Sequence, residues 1–292
     1  MPNLFISDGD NVDLFNGTSL NTSFITSMDQ ASGLAFGPNG TLYAASLDDA
    51  QVYSFNPTTG GTPGTPFVTF FGSNDPRSVQ GPDGMIWGPD GNLYIADVTA
   101  SNVHLFSNTG ASVASIGGTI LGQPVNVAFN HSGQLFAVDN NGVEQYNGSE
   151  FVSYIPSVSA FGSYTLNVPG AVAFSSAGDA YVLDNSGASA AILKFTGTTY
   201  DGQIVDLNAD NFAPSDMIVG PDGKLYVSGI DDNTSEGEVL DFNLDGTGES
   251  VYVSGLNNPT YMAFAAPEPS ASLLAFAGLG LVGLCRSRRR AT

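Results

Sequence analysis

Positive charge is nearly missing from this sequence. Its 292 residues hold seven Lys and Arg against 28 Asp and Glu, a formal net charge of −21. Four of the seven, Arg286, Arg288, Arg289 and Arg290, crowd the C-terminus, and the rest of the chain has only Arg77, Lys194 and Lys224. So acidic a body repels phosphate backbones, which argues against nucleic acid as a partner. Cysteine occurs once, at Cys285, so an intrachain disulfide is excluded. Histidine occurs twice, at His104 and His131. No nucleophile-elbow serine, phosphate-binding glycine loop or zinc spacing is present. What is abundant is apolar and turn-forming: 42% apolar residues, 19 Phe, 11 Tyr and 36 Gly. That composition supports a packed core and argues against disorder.

The apolar residues come in short runs at a regular beat. The stretch MIWGPDGNLYIAD at 85–97, followed by SNVHLF at 101–106, is the clearest copy. A run ends at Trp87, a Gly-Pro-Asp-Gly turn follows, a second run ends at Asp97 and a third at Phe106. Each run has strand length, and the intervening residues suit tight hairpins. Phe36, Trp87, Phe129, Phe174, Val219 and Phe264 end the first strands, 42 to 51 residues apart. Val12, Val52, Val103, Val143, Ile192 and Val239 share one place in the third strands, and Phe15, Phe55, Phe106, Tyr146, Phe195 and Phe242 another. Four short strands repeating near 45 residues predict propeller blades.

The last repeat supplies only a first strand, PTYMAF at 259–264, and the N-terminus lacks one before NLFISD at 3–8. Pairing the two completes a sixth blade and removes two open sheet edges. The expected fold is all-β: a six-bladed β-propeller over residues 3–266, closed by strands from both termini sharing one blade. The repeated aromatics are expected to pack between blades. FVTF at 67–70 is expected as the fourth strand of the second repeat.

After Phe264 the character changes. Pro267, Glu268 and Pro269 open a tail over 267–292; residues 271–285 are uncharged, and the arginine cluster follows. As a helix that run would span about 22 Å, short of the ~30 Å hydrocarbon core. It would insert by tilting less, by thinning the bilayer or by snorkelling its arginines, which belong on the cytoplasmic side. Pro-Glu-Pro, a Gly/Leu-rich span and terminal arginines together resemble the PEP-CTERM sorting signal of exported bacterial proteins. The resemblance implies handling by an exosortase-type processing enzyme, transient membrane anchoring through a short C-terminal hydrophobic helix, and delivery to the cell envelope or extracellular matrix. MPNLFISDGD carries no basic or apolar leader; an upstream leader missing from the sequence is the expected reason.

The body, through GPDGNLYIAD and the Val-x-x-Phe strand, resembles NHL and SMP-30/gluconolactonase-like six-bladed propellers. That implies a fold more than an activity. Two functions follow as expectations. One is an exported binding or structural protein that contacts extracellular polysaccharide or protein. The other is a secreted metal-dependent lactonase or lyase of SMP-30 or virginiamycin-lyase type.

Candidate site residues are oxygen donors. Asp8, Asp97, Asp139 and Asp184 end second strands and would share one face as a Ca2+ rim, or would satisfy backbone N–H groups in their own turns, the favoured reading. DFNLDGTGE at 241–249 places Asp241, Asn243 and Asp245 at alternate positions, as a calcium loop does, although Tyr252 stands where the closing Glu belongs. The first-strand positions facing the channel are Gly33, Gly84, Asn126, Ala171, Asp216 and Tyr261. Among them only Asn126 and Asp216 would ligate a metal, from two blades apart, so the channel is expected to be apolar or glycine-lined. Both histidines are expected at the surface, and no catalytic residue is assigned.

Overall fold

The computed structural model describes residues 2–68, 81–162 and 164–265. The tail, with its expected helix, Pro267, Glu268, Pro269 and the arginines, lies outside them. Six antiparallel sheets stand around one axis. Blade 1 runs outward as Pro259–Phe264, Leu4–Asp8, Asn11–Phe15 and Leu20–Ile25. Blade 2 has Ala31–Phe36, Leu42–Ser46 and Gln51–Phe55. Blade 3 has Pro82–Trp87, Leu93–Asp97, Asn102–Phe106 and Ser112–Ile116. Blade 4 has Asn126–Phe129, Leu135–Asp139, Gly142–Tyr146 and Phe151–Pro156. Blade 5 has Pro169–Phe174, Ala180–Asp184, Ala191–Thr196 and Thr199–Asp206. Blade 6 has Phe212–Val219, Leu225–Asp231, Glu236–Phe242 and Ser250–Leu256. Each innermost strand packs against the next, and the ring closes from Phe212–Val219 back to Pro259–Phe264.

Closure is made by both ends of the chain. Leu4 pairs with Phe264, Phe5 with Ala263 and Ile6 with Met262, so the shared sixth blade expected from the repeat is present. The fourth strand of blade 2 is different. Val68 makes only an isolated bridge to Val52, and Thr69 and Phe70 fall outside the described residues. A small hairpin, Ala160–Phe161 with Tyr164–Thr165, and a 3-10 turn at Gly187–Ser189 are additions that the repeat does not announce.

Six apolar clusters hold the ring, one between each neighbouring pair of blades. Alternate side chains of a strand face opposite neighbours, so second strands are buried on both sides. LFISD, LYIAD, LFAVD and AYVLD are buried at every residue, which is why these runs read as continuous rather than alternating. The aromatic columns interlock. The second-strand ring of one blade meets the residue ending the next blade's first strand: Phe5 on Phe36 at 5.3 Å, Tyr94 on Phe129 at 5.0 Å, Phe136 on Phe174 at 4.7 Å and Tyr226 on Phe264 at 4.8 Å. The Gly-Pro-Asp-Gly turn serves the same joint. Asp90 accepts the Tyr94 hydroxyl at 3.0 Å and the Asn92 N–H at 3.1 Å. Asp222 does the same for Tyr226 at 2.9 Å and the Lys224 N–H at 3.2 Å. Gly91 and Gly223, at φ of 78° and 81°, take the left-handed position of each turn.

Candidate functional site in the central channel

The innermost strands enclose a cavity of about 350 Å³ on the ring axis. Where they enter it, their register with the second strands slips: between Pro82 and Met85, between Pro214 and Asp216, and opposite Ile6 to Asp8 in the closure blade. Such bulges re-aim side chains. Here the bulged stretches carry Asp83, Asp216 and Tyr261.

These residues meet across the axis. The Tyr261 hydroxyl of blade 1 donates to the Val125 carbonyl, at the start of blade 4, at 2.7 Å. The Gly84 N–H donates to the same carbonyl at 2.9 Å. A Cβ on Gly84 would lie 2.7 Å from that oxygen and 2.8 Å from Asn126 Cα, so only glycine lets the backbones approach this closely. Asn126 Nδ2 donates to Asp216 Oδ1 at 3.2 Å, and the Met262 N–H to Asp216 Oδ2 at 3.2 Å.

The electrostatics follow from enclosure. Burial pushes the Asp216 carboxyl up to about 7, against hydrogen bonds from Met217, Met262 and Asn126, with the Asp83 charge adding to the rise. Burial lifts Asp83 to about 6, against its hydrogen bond with Tyr261. The Tyr261 phenol is driven well above its usual value by burial and by Asp83. Two carboxyl groups, one on the cavity wall and one beside Tyr261, are thus raised together, as acid–base pairs are in enzymes.

The structure therefore corrects the expected apolar or glycine-lined channel. Asn126 and Asp216, expected apart, are joined directly. Asp83 precedes the channel-facing Gly84 by one residue, and the bulge turns it inward; a strict alternation of faces could not find it. Ligating capacity is another matter. The Asn126 and Asp216 groups are engaged with each other, and among the described residues no group of three His, Cys, Asp or Glu is placed to hold a metal ion.

The rim aspartates are occupied with backbone. Asp184 accepts the N–H groups of Asn167 at 2.9 Å, Val168 at 3.0 Å and Ser186 at 3.0 Å, and the Tyr164 hydroxyl at 3.0 Å. Asp8 accepts from Asn257 and Asn258. Asp139 accepts from Gly122 and from Asn141, and Asp97 from Thr99 and Ala100 at 3.0 and 2.8 Å. In blades 1, 4 and 5 the clamp fastens the loop that leads into the innermost strand.

The DFNLDGTGE segment is a hairpin. Asp241 meets Lys224 and the Ser250 hydroxyl. Asp245 caps its own turn through the Thr247 N–H at 3.0 Å, and Asn243 Nδ2 donates to the Thr247 hydroxyl at 3.1 Å. His131 is exposed, as expected, but His104 is 1% exposed. Its third-strand column faces the neighbouring blade, and Asp13, Tyr53, Glu144, Leu193 and Leu240 are buried there too.

The architecture is that of a six-bladed β-propeller. The chain carries, over residues 265–290, a match to the PEP-CTERM protein-sorting motif, which indicates export and sorting at the envelope by exosortase-type machinery. Solved structures share the fold at low identity. The nidogen/laminin complex is 13% identical at a TM-score of 0.69, covering 91% of this chain and 99% of that one. Virginiamycin B lyase from Staphylococcus aureus is 11% identical at 0.58, covering 83% and 77%. A gluconolactonase from Xanthomonas campestris is 15% identical at 0.58, covering 89% and 85%. No curated protein matches the sequence. Among the described residues, no helix is long and apolar enough to cross a membrane.

Proposed function

We propose that the propeller acts by binding, as an envelope or matrix protein that the sorting motif delivers and that processing separates from its tail. The observation that carries this reading is the mutual engagement of the channel's polar groups: Tyr261 on Val125, and Asn126 on Asp216. A turnover site keeps such groups available for substrate; these close the ring axis. The acidic exterior suits a cation-bridged polysaccharide or a basic protein surface. The test is co-sedimentation of the purified protein with matrix polysaccharide from the producing cells, beside assays with lactones and a streptogramin. Co-sedimentation without turnover is expected. Lactone or streptogramin turnover that Asp216→Asn abolishes would overturn the reading.

A lactonase or lyase is the second reading. It draws on Asp216, which lines the cavity and is lifted to about 7, and on Asp83, lifted to about 6 beside Tyr261. In that case one would serve as acid and the other as base, and opening of the Tyr261 bridge would admit substrate.

A further inference from the structure

Three titratable side chains are sealed between blades at one place on three third strands: Asp13 at 0% exposure, His104 at 1% and Glu144 at 1%. Register explains their company. Asp8 pairs with Asn11, Asp97 with Asn102 and Asp139 with Gly142. The buried group lies two residues further on, on the same face, diagonal to the aspartate that ends the second strand. His104 Nε2 stands 3.3 Å from Asp97 Oδ2, so Asp97 faces a ring nitrogen and not a second carboxyl. Asp13 has none: among the described residues no donor reaches either of its oxygens. Its neighbour is the Asp8 carboxyl, within hydrogen-bonding reach, and both Asp8 oxygens already accept backbone N–H groups. A buried carboxyl with no donor, set diagonally to a second carboxyl across a strand pair, needs a proton of its own.

We propose that a proton on Asp13 latches the ring: when it is given up as the surroundings turn from acid to neutral, the Asp13 carboxylate repels Asp8, Asp8 loses its hold on Asn257 and Asn258, and the N-terminal strands part from Pro259–Phe264. Blade 6 faces this side of blade 1 with Val239, Val253, Leu256 and the phenol of Tyr226, and Asp8 is the one charge that bears on Asp13. Burial, with Asp8 adding to it, lifts Asp13 to about 7 from 3.8. Glu144, likewise lifted to about 7, lies beside Asp139. It faces Ala96, Val103 and Leu105 of blade 3, but Asp139 fastens a loop local to blade 4 and not the closure.

The folded latch keeps a proton that the opened chain gives up above 3.8, so opening becomes easier as pH rises toward 7 and levels off beyond it. The test is hydrogen exchange of the full chain between pH 5 and 9, corrected for intrinsic base catalysis. Opening of residues 4–15 and 257–264 should rise roughly fiftyfold from pH 5 to 7, about sevenfold per unit, and flatten by pH 8. Asp13→Asn should cut the rise to the part that Asp216, which accepts the Met262 N–H, supplies. Asp13→Leu should do the same and still fold, since Leu193 and Leu240 hold that column in blades 5 and 6. Glu144→Gln should leave the rise in the closure blade intact. The latch is overturned if the closure blade of Asp13→Leu keeps the rise undiminished, or if all six blades open together and Glu144→Gln suppresses the effect equally.

Discussion

Asp8 accepts the backbone N–H of Asn257 at 2.9 Å, joining residues 249 positions apart. The bond sits beside the pairing of Leu4 with Phe264, so one side chain and one strand pair together close the ring. The same device recurs where no closure is needed. Asp139 and Asp184 fasten their own incoming loops, and Ser46 does so in blade 2 by donating to the Asp29 carbonyl at 2.7 Å.

Asp184 tests the clamp, because it takes four donors. Asp184→Ala leaves the N–H groups of Asn167, Val168 and Ser186 and the Tyr164 hydroxyl without it. Each buried donor left unpaired costs about 1–3 kcal/mol, part of which water recovers at the rim. A loss of roughly 3 kcal/mol or more in urea unfolding is expected. A loss below about 1 kcal/mol, the scale of a single neutral hydrogen bond, would contradict the clamp.

Tyr261→Phe removes the bond across the axis while the Gly84 N–H still satisfies the Val125 carbonyl. The expected cost is about 1 kcal/mol in equilibrium unfolding, the net value of one hydrogen bond.

Gly84→Ala places a methyl group 2.7 Å from the Val125 oxygen and 2.8 Å from Asn126 Cα. Forcing backbone apart in a packed site costs about 1–3 kcal/mol. Gly64→Ala, where nothing lies within 4 Å, should stay within about 0.5 kcal/mol of the parent. Thermal unfolding of the two variants side by side checks the contrast.

The channel carboxyls give stability a pH dependence of definite sign. Asp216 keeps its proton to about 7 when folded, against 3.8 in the free side chain. The unfolded chain releases that proton first, so folding grows less favourable from about pH 4 to about 7 and is flat above. Asp216→Asn needs no proton there. Its urea midpoint should depend less steeply on pH across that window than the parent's, and an unchanged slope would argue against a buried neutral acid.

Blade number and closure were legible because the repeat columns are apolar and each blade obeys the same packing rule. The Phe36, Trp87, Phe129 and Phe174 column is the clearest case, each residue meeting the second-strand ring of the preceding blade. The channel was less legible. Asp83 is aimed by a bulge, and a bulge breaks the alternation by which faces are assigned. His104 was misplaced for a different reason: its column mixes Asp13, Tyr53, Glu144, Leu193 and Leu240, and such variety reads as surface. Burial there is set by the neighbouring blade, which the strand's own sequence does not contain. The tail was legible because three short features in fixed order suffice for recognition, and residues 265–290 match the sorting motif.

Delivery followed by removal of the tail is the claim on which the functional reading turns. The most direct measurement is the intact mass of the protein recovered from the envelope and the medium of the cells that make it. The account predicts a body ending near Pro269, without the arginine cluster. An exported form that still carries Arg290 would contradict it.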